Sequence, residues 1–532
     1  MKKNKVRKIV PKIQEANILE WLKDLYSWRF FSLAISLLYM GVMLYFALTL
    51  HKVGGFDVET DFYAGYAPQA KDFMAGRIVI DSYHGPLYPW LLGLCGKIIG
   101  NLFTTGVLIS VISASVSLYL IFEIFKSVSS TDVAFLTVLL TAVNTTFIYY
   151  SYSAGTDMLF VMLSLAGVFI LFRKSEVSVI DLCLSAVVMA LVYLVRYNGL
   201  IFLIAVPFVI LFGAVQTKGV NKYVAAAIWA GVFLVVIIPW SVYLKINRGS
   251  FFYNANYQNM AFEIFGGGYE NWDKFWFTLA NKYTSYWDVF SAAPLLFVET
   301  VSSNIYSHLV GDIGKLNNYL VGGLSVLGAV LFAFSHPSRR RTGLVVIFIS
   351  FFCVLLTVFY TERFSLFLLP IYSFLASYLI KSVFEKFRLK MSALILVNFV
   401  AVAAVIMTSV DSYSFNSRAI RWGAYDMIPT GEWFHKKFGS MYDNEKITAR
   451  KPHIAYLLNM RFYPFPMVDN YDSLISNLRR DSVKFLYYGT FEASDRPQFY
   501  RLLNDSLNPG LKFLCVVRNS AGIIAKLYEV TK

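Results

Sequence analysis

Charge is scarce in this chain of 532 residues: 15% are Asp, Glu, Lys or Arg, against 57% hydrophobic. A soluble domain carries about a quarter charged residues, so the composition excludes a wholly soluble protein. Cysteine is scarcer. Cys95, Cys183 and Cys353 lie in apolar stretches and Cys515 stands alone near the end, which excludes a disulfide framework and a zinc spacing. No internal repeat or low-complexity tract is present. Acids are the rarer sign, 33 against 48 bases, leaving a net charge of +15. The bases punctuate apolar runs instead of gathering on one face. That excludes a nucleic-acid partner and marks membrane topology.

What the chain does have is apolar length. "FSLAISLLYMGVMLYFALTL" (31–50) runs twenty residues without a charge, and comparable runs recur. At 1.5 Å per residue, runs of about 18 to 24 residues cross a bilayer core of roughly 30 Å. The pattern predicts a polytopic α-helical membrane protein of about eleven spans: 31–50, 103–125, 133–152, 156–173, 179–195, 200–216, 222–244, 316–334, 342–360, 363–383 and 389–410. The first run lacks a small-residue cleavage site and is too long for a signal-peptide core, so it is expected to be retained. "PLYPWLLGLCGKIIG" (86–100) is too short to span and predicts an interfacial helix. Ile18, Trp21, Leu22, Leu25 and Trp28 predict another, on the inner surface.

Alternate connections carry the bases: "MKKNKVRK" at the start, Lys126, Arg173 with Lys174, Lys218 with Lys222, "RRR" at 339–341 and "KSVFEKFRLK" at 381–390. The positive-inside rule places these in the cytoplasm, below a cell (inner or plasma) membrane. Three parts follow: a cytoplasmic basic and interfacial N-terminus (1–30), a transmembrane domain (31–410) with outer loops 51–102 and 245–315, and an extracytoplasmic domain (411–532). The last part alternates: "KITAR", "RFYPFPM", "VKFLYYG", "LKFLCVVR" and "IIAKLYEV" read as strands, "PHIAYLLN", "YDSLISNLRRD" and "PQFYRLLND" as helices. Such alternation predicts a small α/β domain. The outer loop 245–315 is dense in rings that collect at headgroup level, so membrane-lying helices are expected there.

The outer connections are short and polar. The first holds "GFDVETDFYAG", with Asp57, Glu59 and Asp61, then Lys71, Arg77, Asp81 and His84. Others bring Asp157, then Arg196 with Asn198, then Glu362 with Arg363. Each has a plain alternative. Asp157 suits a helix cap, Arg196 and Arg363 suit snorkelling ends, Glu362 beside Arg363 suits a surface pair, and the three acids suit a solvated loop. Together they put acids and arginines on one side while the span centres stay nearly free of charge. An ion-coupled transporter would keep ionisable groups at the midplane.

The order of motifs carries a resemblance. "TDFYAGYAPQAKDFMAGR" followed by "SYHGPLYPWLLGL" resembles the first outer loop of GT-C fold glycosyltransferases. The nearest in pattern are the dolichyl-phosphate-mannose protein mannosyltransferases and the aminoarabinose-transferase-like bacterial enzymes. "GTDMLFVMLSLAGVFILF", "LVRYNGLIFLIAVPFVIL", "VIIPWSVYLKINRGSFFYNANY" and "ERFSLFLLPIYSFLASYLI" are similar to later landmarks in order, and "GEWFHKKFGSMYDNEKITARKPHIAYLLNMRFYPFP" to the entry of the soluble domain. The resemblance implies transfer of a sugar from a polyprenyl-phosphate-linked donor to a glycan, lipid or protein acceptor on the outer face, with inversion. It implies Asp61 as general base, Asp57 or Glu59 as the alternate, and Asp157 as the group orienting acceptor or base.

The chemistry asks for the same parts. A hydroxyl acceptor needs a carboxylate to take its proton, and a departing lipid phosphate needs cationic partners in a water-poor site. Arg363 and Arg196 are the first phosphate candidates, followed by Arg248, Lys71 and His84; Tyr63, Tyr88, Asn198, Glu362 and Tyr257 are candidates for the substrate pocket. Departures are visible. His84–Gly85 stands where the aminoarabinose enzymes have a lysine before Pro-Leu, and Phe364 replaces the usual tyrosine. The metal-binding Asp-x-Asp of oligosaccharyltransferases is here Glu59-Thr60-Asp61, so no metal ligand is assigned, although a divalent ion remains compatible. The rival readings are a lipid-linked glycan polymerase or ligase, where arginines would dominate, and a lipid-glycan flippase, which needs polar groups through the whole bundle.

Overall fold

Inside a bilayer no water bonds the backbone, so each apolar run must satisfy its own N–H and C=O groups, and helices do so. The computed structural model describes residues 30–268, 272–278, 280–335, 338–386, 391–505, 507–519 and 522–531. The interfacial stretch expected around Ile18 to Trp28 lies outside them. In chain order come α1 (Phe30–Leu50), α2 (Ala67–Met74), α3 (Leu87–Ile99) and α4 (Leu102–Val128). Next are α5 (Thr131–Ala142), α6 (Thr145–Tyr152), α7 (Asp157–Phe172), α8 (Val179–Val195), α9 (Phe202–Leu211) and α10 (Lys222–Arg248). The aromatic connection forms α11 (Tyr257–Phe265), α12 (Trp272–Thr278), α13 (Tyr286–Ala292) and α14 (Pro294–Gly311). The helical part closes with α15 (Tyr319–Ala333), α16 (Arg339–Leu355), α17 (Glu362–Val383) and α18 (Met391–Arg421).

This is a multi-pass membrane protein. By length and composition α1, α4, α10, α17 and α18 can each cross, and α5 with α6 makes a sixth. The remaining expected spans are helices of fewer than eighteen residues, so length alone supports five or six crossings against the eleven read from hydropathy. One expected span is broken. Residues 133–152 are two helices bent by 63°, because Asn144 starts a new one: its Oδ1 accepts from the N–H groups of Thr146 and Phe147 at 2.9 and 3.0 Å. Its amide donates to Leu316 O at 2.7 Å, tying the break to the far side of the bundle.

Helix α4 is central: 72% of its apolar window is buried, against 22% for α1 and 17% for α18. Small residues let neighbours approach it, as membrane helices require. Glycine does the same between α15 and α17, where a Cβ at Gly328 would lie 2.0 Å from Leu375 O.

The C-terminal part holds a five-stranded sheet of β1 (Lys446–Ala449), β2 (Arg461–Pro464), β3 (Phe485–Gly489), β4 (Leu511–Asn519) and β5 (Gly522–Val530), ordered β2-β1-β3-β5-β4. The β1–β2 and β1–β3 pairs are parallel, the β3–β5 and β5–β4 pairs antiparallel. All five residues of β3 are buried, as a strand covered on both faces should be. One face packs Met427, Phe434 and Ile454, the other Leu474, Leu478 and Phe499. This part also grips the first loop. Phe56 stacks on Phe491 at 4.5 Å, and His453 Nε2 lies 3.0 Å from Gly55 O. Burial pushes the His453 imidazole down to about 4, so near neutrality it is uncharged and donates its Nε2–H to that carbonyl. The loop bearing the three acids is therefore held between the bundle and the sheet.

Candidate functional site

The three acids of the first loop meet three different fates. A turn at 56–59 leads into a π-helical turn, Phe62–Tyr66, whose Phe62, Tyr63 and Tyr66 rings are buried. Asp57, on the outer side of that turn, is exposed. Glu59 points inward and is 1% exposed, beside a His51 that is 4% exposed. Glu59 Oε2 accepts from His51 Nε2 at 2.9 Å and from Gly55 N at 2.8 Å, while Oε1 accepts from Ala154 N at 2.7 Å. It is a clamp between the first loop and the loop ahead of Asp157. Glu59, the expected alternate base, thus has both oxygens engaged by buried donors.

Asp61, 36% exposed, stands at the edge of the bundle and receives a hydrogen bond from Arg363 Nη1 at its Oδ2, 2.7 Å. The same guanidinium reaches Asp157: Nε lies 3.0 and 3.2 Å from its two oxygens. Asp157 is the first residue of α7 and is 2% exposed. The cap position belongs to Thr156, and the Asp157 carboxylate turns instead to Arg363 and to Arg196 Nη1, which also donates to it. Arg196, where α8 ends, lies between the rings of Phe160 and Phe364, 5.8 and 5.7 Å from their centroids. Those rings hold its plane without using its donors. Four charged side chains from four separate segments thus form one chain, Asp61–Arg363–Asp157–Arg196. Among the described residues Arg363 Nη2 is buried with no hydrogen-bond partner. A buried guanidinium nitrogen left unpaired is costly, and an incoming anion would satisfy it.

The other candidates sort by position. Tyr88 is fully buried, its hydroxyl without a partner, and packs edge-on to Tyr66 at 5.0 Å; Asn198 Oδ1 is likewise buried and unpartnered. Both are polar groups with capacity to spare. His84 touches the Tyr66 ring at 4.9 Å, but its Nδ1 sits 3.3 Å from Asp81. Burial alone would raise the Asp81 carboxyl; His84 and the N–H groups of Tyr83 and His84 outweigh it and hold the group below the ordinary carboxylate range. Tyr63 is structural: its hydroxyl accepts from Gly54 N at 2.9 Å and its ring stacks on Phe103 at 5.8 Å. Glu362 lies near Asp312, while the Arg363 guanidinium turns to Asp61 and Asp157. Two phosphate candidates stand apart. Lys71 donates to Asn459 Oδ1 at 2.8 Å on the C-terminal part, and Arg248 lies over Tyr253 at 5.5 Å, so neither joins the charged chain. Tyr257 packs edge-on to Tyr286 at 6.2 Å within the aromatic segment.

That segment covers the first loop. Ala255 N donates to Ser82 O at 2.6 Å, Asn256 Nδ2 to Tyr83 O at 3.0 Å, and Tyr83 OH to Gln258. Gly85 permits the loop to lie on the α8 backbone, since a Cβ there would stand 2.0 Å from Leu194 O. Sequence reasoning missed His51, Tyr66 and Thr156. His51 has a signal in the chain, a single titratable ring at the end of a charge-free run. The Tyr66–Thr156 contact, 3.3 Å across ninety positions, has none.

Glu59→Gln tests the clamp. The amide keeps one acceptor but turns N–H groups toward a backbone N–H, so about 1–3 kcal/mol of stability is expected to be lost. Thermal unfolding of the purified protein reads this, and an unchanged midpoint would show that the clamp contributes nothing.

A divalent ion finds a poor fit here. Among the described residues no three His, Cys, Asp or Glu side chains gather to hold one, and a guanidinium bridges the two carboxylates.

Residues 83–243 match the family of dolichyl-phosphate-mannose-protein mannosyltransferases. No curated protein sequence matches the chain. Among solved structures, the oligosaccharyltransferase AglB of Archaeoglobus fulgidus, in complex with an inhibitory peptide and a dolichol phosphate, superposes with a TM-score of 0.62 at 12% identity, over 90% of this chain and 71% of that one. ArnT of Cupriavidus metallidurans, bound to undecaprenyl phosphate, gives 0.58 at 12% identity, over 94% and 98%. The arabinofuranosyltransferase AftD from Mycobacteria gives 0.50 at 11%, over 95% and 41%. At such identities the likeness is one of fold.

Proposed function

For a chain with the GT-C glycosyltransferase fold, we propose transfer of a sugar from a polyprenyl-phosphate-linked donor to a hydroxyl-bearing acceptor at the extracytoplasmic end of the bundle, with inversion at the anomeric carbon. The observation that carries the reading is the Asp61–Arg363–Asp157–Arg196 chain with its unpartnered Arg363 Nη2. Arg363 and Arg196 receive the donor phosphate, and Asp157 holds both guanidinium groups in place. Asp61 has one oxygen in the pair with Arg363 and one outside it. A phosphate arriving at Arg363 competes with Asp61 for that cation and frees the carboxylate beside the reacting carbon.

The step balances simply. The acceptor oxygen forms a bond to the anomeric carbon as the bond to the phosphate oxygen breaks. The departing electron pair leaves on polyprenyl phosphate, between two arginines. The acceptor proton passes to Asp61 in the same transition state. The aromatic segment over residues 82–84 limits water, which would otherwise take the sugar. The C-terminal part, gripping Gly55 and Phe56, fixes the loop that carries the base.

The test is sugar transfer by the full-length protein in vesicles supplied with polyprenyl-phosphate sugars and a set of hydroxyl acceptors. Labelled product with release of polyprenyl phosphate is the expected result. Movement of intact glycolipid between leaflets, without cleavage from its phosphate, would instead establish a flippase.

A further inference from the structure

A second charged recess lies at the other end of the bundle. Helix α4 starts near the acids, where Gly106 packs against Phe62, Tyr88 and Ala154. Its 27 residues carry the chain about 40 Å away. There, around Val128, a recess of about 400 Å³ is lined by Arg341, Lys381, Ser129, Ser130, Ser382 and Tyr378. It sits where α4 ends, α5 and α16 begin and α17 ends, four elements that meet at the base-rich end of the molecule.

The recess is built to present donors. Arg341 is held without using them all: its guanidinium lies 5.4 and 5.9 Å from the ring centroids of Phe332 and Tyr378, and Nε donates to Val128 O at 2.8 Å. Its Nη1 makes only a 3.5 Å contact with Ser335 Oγ. Ring contacts engage the face of a guanidinium and leave its edge to bind an anion. Lys381 Nζ is 2.8 Å from Asp132 Oδ2, a carboxylate that is 47% exposed. Among the described residues the lining holds two cations and three serine hydroxyls and no carboxylate, Asp132 meeting Lys381 from outside it. This donor excess suits a tetrahedral anion with several acceptor oxygens, and a basic recess between helix ends at a membrane surface is where phosphate headgroups bind.

We propose that this recess binds a phosphate-bearing anion, supplied by a lipid headgroup or by free phosphate. The inference uses none of the residues of the transferase reading, so either can fail alone.

The experiment uses the full-length protein in neutral detergent. Native mass spectrometry compares retention of phosphatidylglycerol with that of phosphatidylcholine, and a thermal-unfolding arm adds inorganic phosphate alone. Phosphatidylglycerol is expected to be kept preferentially. Lys381→Gln should weaken retention about fivefold, the worth of one lysine at an anionic surface, and Asp132→Asn, which removes a negative charge beside Lys381, should strengthen it. Ser382→Ala removes a hydroxyl and no charge; a smaller weakening there guards against a folding defect in the lysine variant. Stabilisation by inorganic phosphate that Lys381→Gln abolishes, without lipid preference, assigns the same recess to free phosphate. Equal retention of both lipids with no phosphate effect, or charge variants that shift binding in the same direction, would overturn the proposal.

Discussion

Asp61→Asn is expected to lower the rate of sugar transfer by about 10²–10⁴-fold while leaving polyprenyl-phosphate binding intact. Asparagine keeps the size and the carbonyl that can face Arg363 Nη1, so the local geometry survives. What it lacks is a basic oxygen for the acceptor proton. It also removes the competitor for Arg363, so phosphate affinity should hold or rise. Single-turnover transfer together with a polyprenyl-phosphate titration separates the two effects. A variant with normal transfer would move the base to Asp57, the other solvent-accessible acid of the cluster at 57, 59 and 61.

Arg363→Gln should be the most damaging single change, because it strikes stability and binding together. Asp157 is 2% exposed and would keep only Arg196, and Asp61 would lose its partner. Breaking a buried charge pair from one side costs about 3–5 kcal/mol, which thermal unfolding would show as a large drop. Phosphate binding should fall with it. Arg363→Lys separates charge from shape: the three donors of an ammonium sit on one atom and cannot reproduce the spread of Nε, Nη1 and Nη2, so it should restore part of the stability and little of the binding. Full recovery of phosphate binding in the lysine variant would refute the role given to the guanidinium fork.

Much of the architecture was legible in the order of residue types. Twenty uncharged residues at 31–50 predict a helix because an apolar run in lipid has few other ways to satisfy its backbone, and α1 spans Phe30–Leu50. The alternation after residue 446 predicts strands and helices in sequence, and β1 to β5 fall on the stretches read as strands. The break at Asn144 was not legible. Residues 133–152 carry no charge, and only the capping bonds of Asn144 and its reach to Leu316 O decide against a straight span.

For the site, the sequence by itself determined which groups were available: an apolar chain puts its few acids and arginines in loops, because burying an unpaired charge is costly. Asp61, Asp157, Arg196 and Arg363 were visible as residue types in polar connections. Only the tertiary structure decided their partners. Arg363 lies 302 positions from Asp61 and 206 from Asp157, and no periodicity carries information over such separations. The same holds for the acids at 57, 59 and 61. In sequence they are one cluster; in the fold the turn directs Asp57 to solvent, Glu59 into a buried clamp with His51, and Asp61 to the edge of the bundle against Arg363. Their chemistry differs because burial and partners, which the third dimension sets, govern what a carboxylate can do.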